Sequence, residues 1–344
     1  MESRSIKTLL NDAVQNLEQA GIEDAKFNVN LIASKILGIE HTKLPLYWSE
    51  TPSDSFISEF QEMLERRLSH EPLQYILGEW CFLDFEVKVG EGALIPRPET
   101  EEVFLAAEKA IKANSIRPYF HFADIGTGTG VLGLAMAKYF PESIGYLVDV
   151  SDKALEIAKS NMLKYSELLV RSNDKNNFYS NRHCEPMKLP HEWWGSCHEV
   201  TEGADCLRQS VAWQSKNLND LNNSRLSLIK SDLLEAFKSD SLDVIISNPP
   251  YIDSEEVKSL MPEVVDYEPH LALDGGRNGL ELIDKLLKQA EIVLRNKGLF
   301  IFEHGHGQRN EIKKLLSSCW EILKEGNDFA KKERFFILKL LKDN

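Results

Sequence analysis

The strand pattern LDVIIS runs into Asn248-Pro249-Pro250-Tyr251, and these residue types suit one kind of chemistry. An asparagine side-chain oxygen can accept one N–H of a planar amino or amide group, and a backbone carbonyl at Pro249 can accept the other. The prolines fix φ and carry no N–H, which stiffens the turn and leaves its carbonyls free. Tyr251 can pack on the flat face of such a group. A planar amide nitrogen is a poor nucleophile because its lone pair is delocalised into the carbonyl. Moving a methyl group onto it calls for in-line alignment and electrostatic support rather than a strong base. A stiff Pro-Pro turn without function would look the same locally, so the weight lies on what accompanies it.

Its companion is Asp124-Ile125-Gly126-Thr127-Gly128-Thr129-Gly130, placed where a strand pattern gives way to a helix pattern. Glycines there allow positive φ and close approach of a ligand to the backbone, beside the unpaired N–H groups of a helix start. Asp149 closes the next strand pattern, at the position from which a carboxylate can accept hydrogen bonds from ribose hydroxyls. Loop and acid together point to an adenosine-containing cofactor. They leave a nicotinamide dinucleotide and S-adenosylmethionine equally open.

These residues need a frame, and the hydrophobic periodicity supplies one. Residues 1–75 read as a helical module: Leu9, Leu10, Ala13, Val14, Leu17 and Ala20 recur at helical spacing up to Gly21, a second helix ends at Gly38, and a third runs through Phe56, Phe60 and Leu64. Residues 76–98 alternate as a hairpin (Phe82, Phe85, Val87, Val89) before a helix beginning near Glu99. From residue 99 to 344, strand and helix patterns alternate: FHFADIG, VLGLAMAKYF, SIGYLVDV, SDKALEIAKSNM with Ser151 as N-cap, then LSLIKSD, LDVIISN, GLFIFEHG and RFFILKLL. That alternation predicts an α/β, doubly wound sheet with parallel strands. In such a sheet ligands bind beyond the carboxyl ends of the strands, which sends Asn248 and the glycine loop to the same rim.

Composition narrows the function classes. The chain has 344 residues, 42% of them hydrophobic, and a formal net charge of −14. No basic footprint marks a nucleic-acid binder, so direct nucleic-acid binding is not expected, and an acidic surface suits a basic protein partner. No leader-like apolar stretch opens the sequence and no run is long enough to span a bilayer, so no membrane association is expected. Five unevenly spread cysteines speak for a reducing, cytoplasmic setting rather than a disulfide framework.

Five segments carry a family resemblance: ALIPRPETE (Ala93 to Glu101), DIGTGTG (Asp124 to Gly130), VDVSDKALEIAKSN (Val148 to Asn161), SNPPYI (Ser247 to Ile252) and YEPHLALDGG (Tyr267 to Gly276). With them the chain resembles the HemK-type protein glutamine N5-methyltransferases, specifically the release-factor enzymes. The resemblance implies a class I S-adenosylmethionine-dependent methyltransferase domain, Rossmann-like, with a seven-stranded and mostly parallel sheet. It also implies a helical N-terminal domain that docks the release factor, and a glutamine in a Gly-Gly-Gln loop as acceptor.

Carried over, Gly126, Thr127, Gly128, Thr129 and Gly130 would line the methionine part of S-adenosylmethionine, Asp149 the ribose, and Asp232 and Leu233 the adenine. Asn248 would stand between cofactor and acceptor, and Asn248, Pro249 and Tyr251 would be catalytic. Asn248, Pro249, Pro250 and Tyr251 would grip the glutamine, with Arg97 and Glu99 shaping the site from the hairpin side. A salt-bridged turn is the alternative for that last pair. The family's usual Asp before Gly-Leu is replaced by Asn278, which is expected to cap the following helix. A ribosomal-protein glutamine, or the exocyclic amine of a DNA or RNA adenine, are the alternative acceptors.

One segment departs from the pattern. At about 163–225 the sequence is rich in Asn, Ser, Trp, His and Cys and far exceeds a helix-to-strand connection. As an insertion between the second helix and the third strand, it is expected to leave and re-enter near the adenine side. His183, Cys184, His191, Cys197, His198 and Cys206 lack the paired spacing of a zinc site, so no metal is assigned, and Trp193, Trp194 and Trp213 are read as surface anchors. His304 and His306 are read as rim hydrogen-bonding groups rather than bases.

Overall fold

The computed structural model of the chain describes residues 4–114, 116–169 and 224–342. It divides into two units, Met1–Glu79 with Met261–Tyr267, and Trp80–Leu260 with Glu268–Asn344. The insertion's histidines, cysteines and tryptophans named above lie outside the described residues. Among the described residues, no helix is long and apolar enough to cross a membrane, and no cluster of His, Cys, Asp and Glu could hold a metal ion.

The first unit is helical, with α1 at Ile6–Gln19, α2 at Ala25–Leu37 and α3 at Asp54–Leu68. Ser5 and Ser53 cap α1 and α3, each side-chain oxygen accepting a first-turn N–H, and Gly38 ends α2 in the left-handed conformation. The apolar faces bury Leu10, Leu17, Val29, Ile32, Phe56 and Phe60, the last two rings stacked at 5.7 Å. Residues 261–267 belong to this unit too, and one buried cation secures them. Arg67 donates to Asn28 Oδ1 (2.8 Å), to the Glu71 carbonyl (3.1 Å) and to Glu263 Oε1 (3.0 Å). Tyr267 adds a bond from its hydroxyl to the Ser69 carbonyl at 2.6 Å. Arg67→Ala leaves Asn28 Oδ1 without its donor and Glu263 held by His70 Nδ1 at 3.3 Å, and should lower stability by roughly 2–3 kcal/mol. Urea unfolding of the full chain with an unchanged m-value checks this.

The second unit opens with a two-stranded sheet of β1 (Glu79–Phe82) and β2 (Phe85–Lys88), followed by helix α5 (Pro98–Ala113) once the short α4 (Leu73–Leu77) of the first unit is counted. The main sheet comprises β3 (His121–Ile125), β4 (Ile144–Asp149), β5 (Leu226–Lys230), β6 (Leu242–Ser247), β7 (Leu294–Glu303), β8 (Trp320–Asn327) and β9 (Glu333–Leu340). Its order is β5-β4-β3-β6-β7-β9-β8, with β9 alone antiparallel to β7 and β8 antiparallel to β9. The expected seven-stranded, mostly parallel, class I methyltransferase architecture is therefore present. All residues of β6 are buried, the apolar Val244, Ile245 and Ile246 as expected of a strand covered on both faces and Asp243 with His121 N and Arg295 as partners. Helix α6 (Val131–Tyr139) follows β3, and α7 (Asp152–Lys164) follows β4 with Ser151 accepting from Ala154 N.

Two expectations need correction. The two flanks of the insertion meet directly, Arg225 N donating to the Leu169 carbonyl at 2.8 Å. This junction is beside Gly145, at the amino end of β4 and β5. The insertion thus departs and returns on the expected half of the sheet but at the end opposite the rim, because a helix packed antiparallel to its strands always delivers the chain to the next strand's start. Asn278 is also no helix cap: the helix Glu281–Val293 has Leu280 at that position, without a side-chain cap. Asn278 instead adopts φ 57° in the preceding turn, a left-handed conformation that asparagine tolerates better than most residues.

Candidate active site

Strand register assembles the site. Ile125 pairs with Val148 on one side and Ser247 on the other, and Ser247 pairs with Phe302. The next residue along each parallel strand is therefore Gly126, Asp149, Asn248 and Glu303, set side by side on one rim. The strand order reverses between β3 and β6, so the glycine loop and Asn248 flank the switch point where open α/β sheets bind ligands.

The glycine loop is built to stay open. Gly126, Gly128 and Gly130 have φ of 74°, 50° and 81°. A Cβ at Gly126 would meet nothing within 4 Å, and one at Gly128 only the edge of contact range, so ligand atoms could approach the bare backbone there. The amides of Gly126 and Thr127 are already used, both donating to the Val148 carbonyl at 2.9 Å. Asp124, fully buried, accepts from Thr127 Oγ1 and from Gly133 N, the latter at 3.1 Å, and so ties loop to helix. Burial pushes its carboxyl pKa well above the usual range. The motif pattern alone assigns Asp124 no role.

Asp149 ends β4, one oxygen accepting from Gly128 N (3.0 Å) and the other from Ser151 N (2.9 Å). Burial raises its pKa, and those two amides oppose the rise. Val150 beside it leaves an apolar side chain half exposed. The adjoining segment is fixed by Ser231 N, which donates to the Asp149 carbonyl. In it Asp232 pairs with Lys285 at 2.6 Å, and Leu233 takes φ 49°.

Two buried asparagines make a telling contrast. Asn161 on α7 is fully employed: it donates to the carbonyls of Lys88 (3.0 Å) and Thr129 (2.8 Å) and accepts from Lys88 N (2.7 Å), joining β2 to the glycine loop. Asn248 is 5% exposed, yet neither its Oδ1 nor its Nδ2 has a hydrogen-bond partner among the described residues. Leaving a buried carboxamide unpaired costs roughly 1–3 kcal/mol per group, which a fold bears only where something else will complete the bonds. A donor–acceptor pair aimed at the rim fits a ligand carrying a complementary planar group.

The Asn248 corner is clamped from behind. Ile252 N donates to the Leu273 carbonyl (3.0 Å) and Gly275 N to the Ile252 carbonyl (2.8 Å), laying the 273–279 segment along the Pro250–Tyr251 backbone. Gln308 Nε2 bonds the carbonyls of Tyr251 (2.8 Å) and Asn278 (3.0 Å), while its Oε1 accepts from Gly305 N (2.8 Å). Tyr251 is buried and its hydroxyl donates to Glu303 Oε1 at 3.1 Å. Arg97 is engaged by Glu268, which also accepts from Ile95 N (3.2 Å), so the ALIPRPETE and YEPHLALDGG segments are joined. Glu99 is buried with Oε2 unpartnered among the described residues, and burial raises its pKa. His304 is fully buried, its Nδ1 at 2.7 Å from the Gly305 carbonyl, and burial lowers its pKa to about 4, so it is neutral at physiological pH. His306 is exposed.

Sequence reasoning missed Glu303, Arg334 and Gln308. Only Glu303 and Gln308 had a local signal, the FEHGHGQ run after a strand pattern.

Comparison with known proteins gives the following. Residues 8–78 match the family model described as PrmC N-terminal domain, and residues 110–183 and 196–276 that described as Methyltransferase small domain. A release factor glutamine methyltransferase of Thermodesulfovibrio yellowstonii is 31% identical over 327 residues, covering 91% of this chain and 94% of the relative. One of Fusobacterium nucleatum is 28% identical over 334 residues, covering 96% and 78% respectively. Among solved structures, a methyltransferase from Pyrococcus furiosus aligns with a TM-score of 0.43 at 14% identity, covering 82% of this chain and 98% of that one.

Proposed function

This chain belongs to the release factor glutamine methyltransferase family, and from that premise we propose that its acceptor is the glutamine of a Gly-Gly-Gln loop in a peptide chain release factor, methylated at the side-chain N5 with S-adenosylmethionine as donor. It is a methyltransferase by family and fold. The observation that carries the acceptor assignment is Asn248: a buried carboxamide with both polar atoms unpartnered matches another carboxamide.

The residues present fit the donor. Gly126, Thr127, Gly128, Thr129 and Gly130 would hold its methionine end over the bare loop, Asp149 its ribose, and Val150, Asp232 and Leu233 its adenine. When bound, S-adenosylmethionine supplies a sulfonium methyl as electrophile. The protein's part is orientation. Asn248 Oδ1 accepts one N–H of the glutamine amide, the Pro249 carbonyl accepts the other, and together they fix the plane of the nitrogen and aim its lone pair. Tyr251 and Pro250 keep that corner rigid, and Arg97 and Glu99 shape the entrance. Accepting both N–H groups also favours the positive charge that grows on nitrogen as the bond forms. No group on this rim must act as a strong base, since the methylated nitrogen is acidic enough to release its proton to water. An acidic chain of net charge −14 and a cytoplasmic setting suit a basic translation factor as partner.

The test is incubation with labelled S-adenosylmethionine and purified release factors, then mass spectrometry of the glutamine-bearing peptide. One methyl group on that glutamine, absent when it is replaced by glutamate, is the expected result. Label on a ribosomal protein or on DNA adenine, with none on the release factor, overturns the acceptor assignment.

A further inference from the structure

We propose that Glu303 is a positioning residue for methyl transfer, its carboxylate holding Tyr251 and through it the Asn248–Pro249 corner. This rests on the acceptor assignment above.

Glu303 ends β7 next to Asn248 on β6 and is fully buried. Oε1 accepts from the Tyr251 hydroxyl at 3.1 Å and lies 3.9 Å from Arg334 Nη1. Oε2 accepts from Thr100 Oγ1 on α5 at 3.0 Å. Arg334 is in turn bound by Asp328 Oδ2 at 2.9 Å and 3.1 Å. The carboxylate is therefore the node where α5, β7, β9 and the acceptor loop meet. Anchoring one tyrosine hydroxyl needs only a carbonyl. A carboxylate in a dry interior is costly, and its position beside Asn248 on the acceptor rim gives that cost a use.

The groups facing Glu303 set its charge. From α5 come Glu99 and Thr100, from β9 Arg334, itself held by Asp328 in the turn before it, and from the acceptor loop Tyr251. Burial pushes Glu303 up to about 7, with Arg334 holding it down and Glu99 pushing it further up. While ionised, both oxygens accept hydroxyl protons. Once protonated, one oxygen must donate, and a hydroxyl bond is given up. Methyl transfer should therefore fall as pH drops through about 7, with cofactor affinity unaffected.

The experiment measures kcat, KM for the release factor and cofactor Kd between about pH 5.5 and 8.5, in wild type, Glu303→Gln, Tyr251→Phe and the double variant. Wild-type kcat should drop about tenfold per pH unit on the acid side. Glu303→Gln should lose about 30-fold in kcat at high pH and the acid limb with it, with Kd for the cofactor within about twofold. Tyr251→Phe, which deletes only a hydroxyl and should fold, should also flatten the limb, and the double variant should be no slower than the worse single variant. A wild type with a flat profile, a Tyr251→Phe or Glu303→Gln enzyme that keeps the limb, or losses that multiply in the double variant would overturn the inference alone. Absence of release-factor methylation by wild type at every pH would overturn the acceptor assignment and this inference with it.

Discussion

Asn248→Ala should lower kcat by about three orders of magnitude and at the same time make the protein more stable. The rate loss follows from removing the oxygen that fixes the acceptor nitrogen. An amide free to rotate rarely presents its lone pair in line, and alignment of this kind is worth several kcal/mol. The stability gain follows from the free protein. Asn248 is 5% exposed with both polar side-chain atoms unpartnered, so alanine removes unpaired groups and no internal hydrogen bond. A gain of about 1 kcal/mol is expected after the small cavity is discounted. Because the glycine loop and Asp149 are untouched, cofactor affinity should change by no more than a few-fold. Calorimetric titration, single-turnover kinetics and thermal unfolding read the three quantities. A variant that melts earlier than wild type, or loses cofactor binding in step with rate, would remove Asn248 from the acceptor's grip.

The next largest effect is expected from one methyl group at Gly279. Its φ is 67°, and a Cβ there would lie 1.9 Å from the Tyr251 carbonyl oxygen and 2.6 Å from Gln308 Nε2. The carbonyl is backbone and cannot swing aside, so Gly279→Ala must displace the acceptor loop or break its Gln308 clamp. Gly21 supplies the matched control, with φ 74° and nothing within 4 Å of its Cβ. Gly21→Ala should cost only the left-handed backbone penalty, about 1 kcal/mol, with normal kinetics. Gly279→Ala should cost about 3 kcal/mol and at least 100-fold in kcat/KM. Equal effects in the two variants would mean that the Gly279 contact does not set the acceptor loop.

What the sequence disclosed was governed by range. The buried strand LDVIIS, the helix start at Ser151 and the glycine loop are written in consecutive residues, and each is found where its pattern places it. β8 was not read, because only Trp320 and Gly326 of that strand are buried, and an edge strand is held mainly by backbone pairing that leaves little trace in side-chain pattern. Asn278 was misread because the preference for caps and the tolerance of left-handed φ belong to the same side chain. Asn248 could be found through its motif. The FEHGHGQ run places Glu303 at a strand end but does not disclose its role, since its partners Tyr251 and Thr100 stand 52 and 203 positions away in the chain. Arg97 pairs with Glu268, 171 positions away, a partner no local pattern names.

The helical unit is completed by Met261–Tyr267, a piece of chain synthesised long after Glu79. On the ribosome, helices α1 to α3 therefore emerge and collapse while Arg67 still waits for the Glu263 carboxylate. Nascent chain must accumulate through most of the parallel sheet before that guanidinium finds its counter-ion, so the first part made is among the last finished. A fragment cut after Glu79 would inherit the same unmet charge permanently, and gene fusions or split versions of this protein should keep both pieces in one polypeptide.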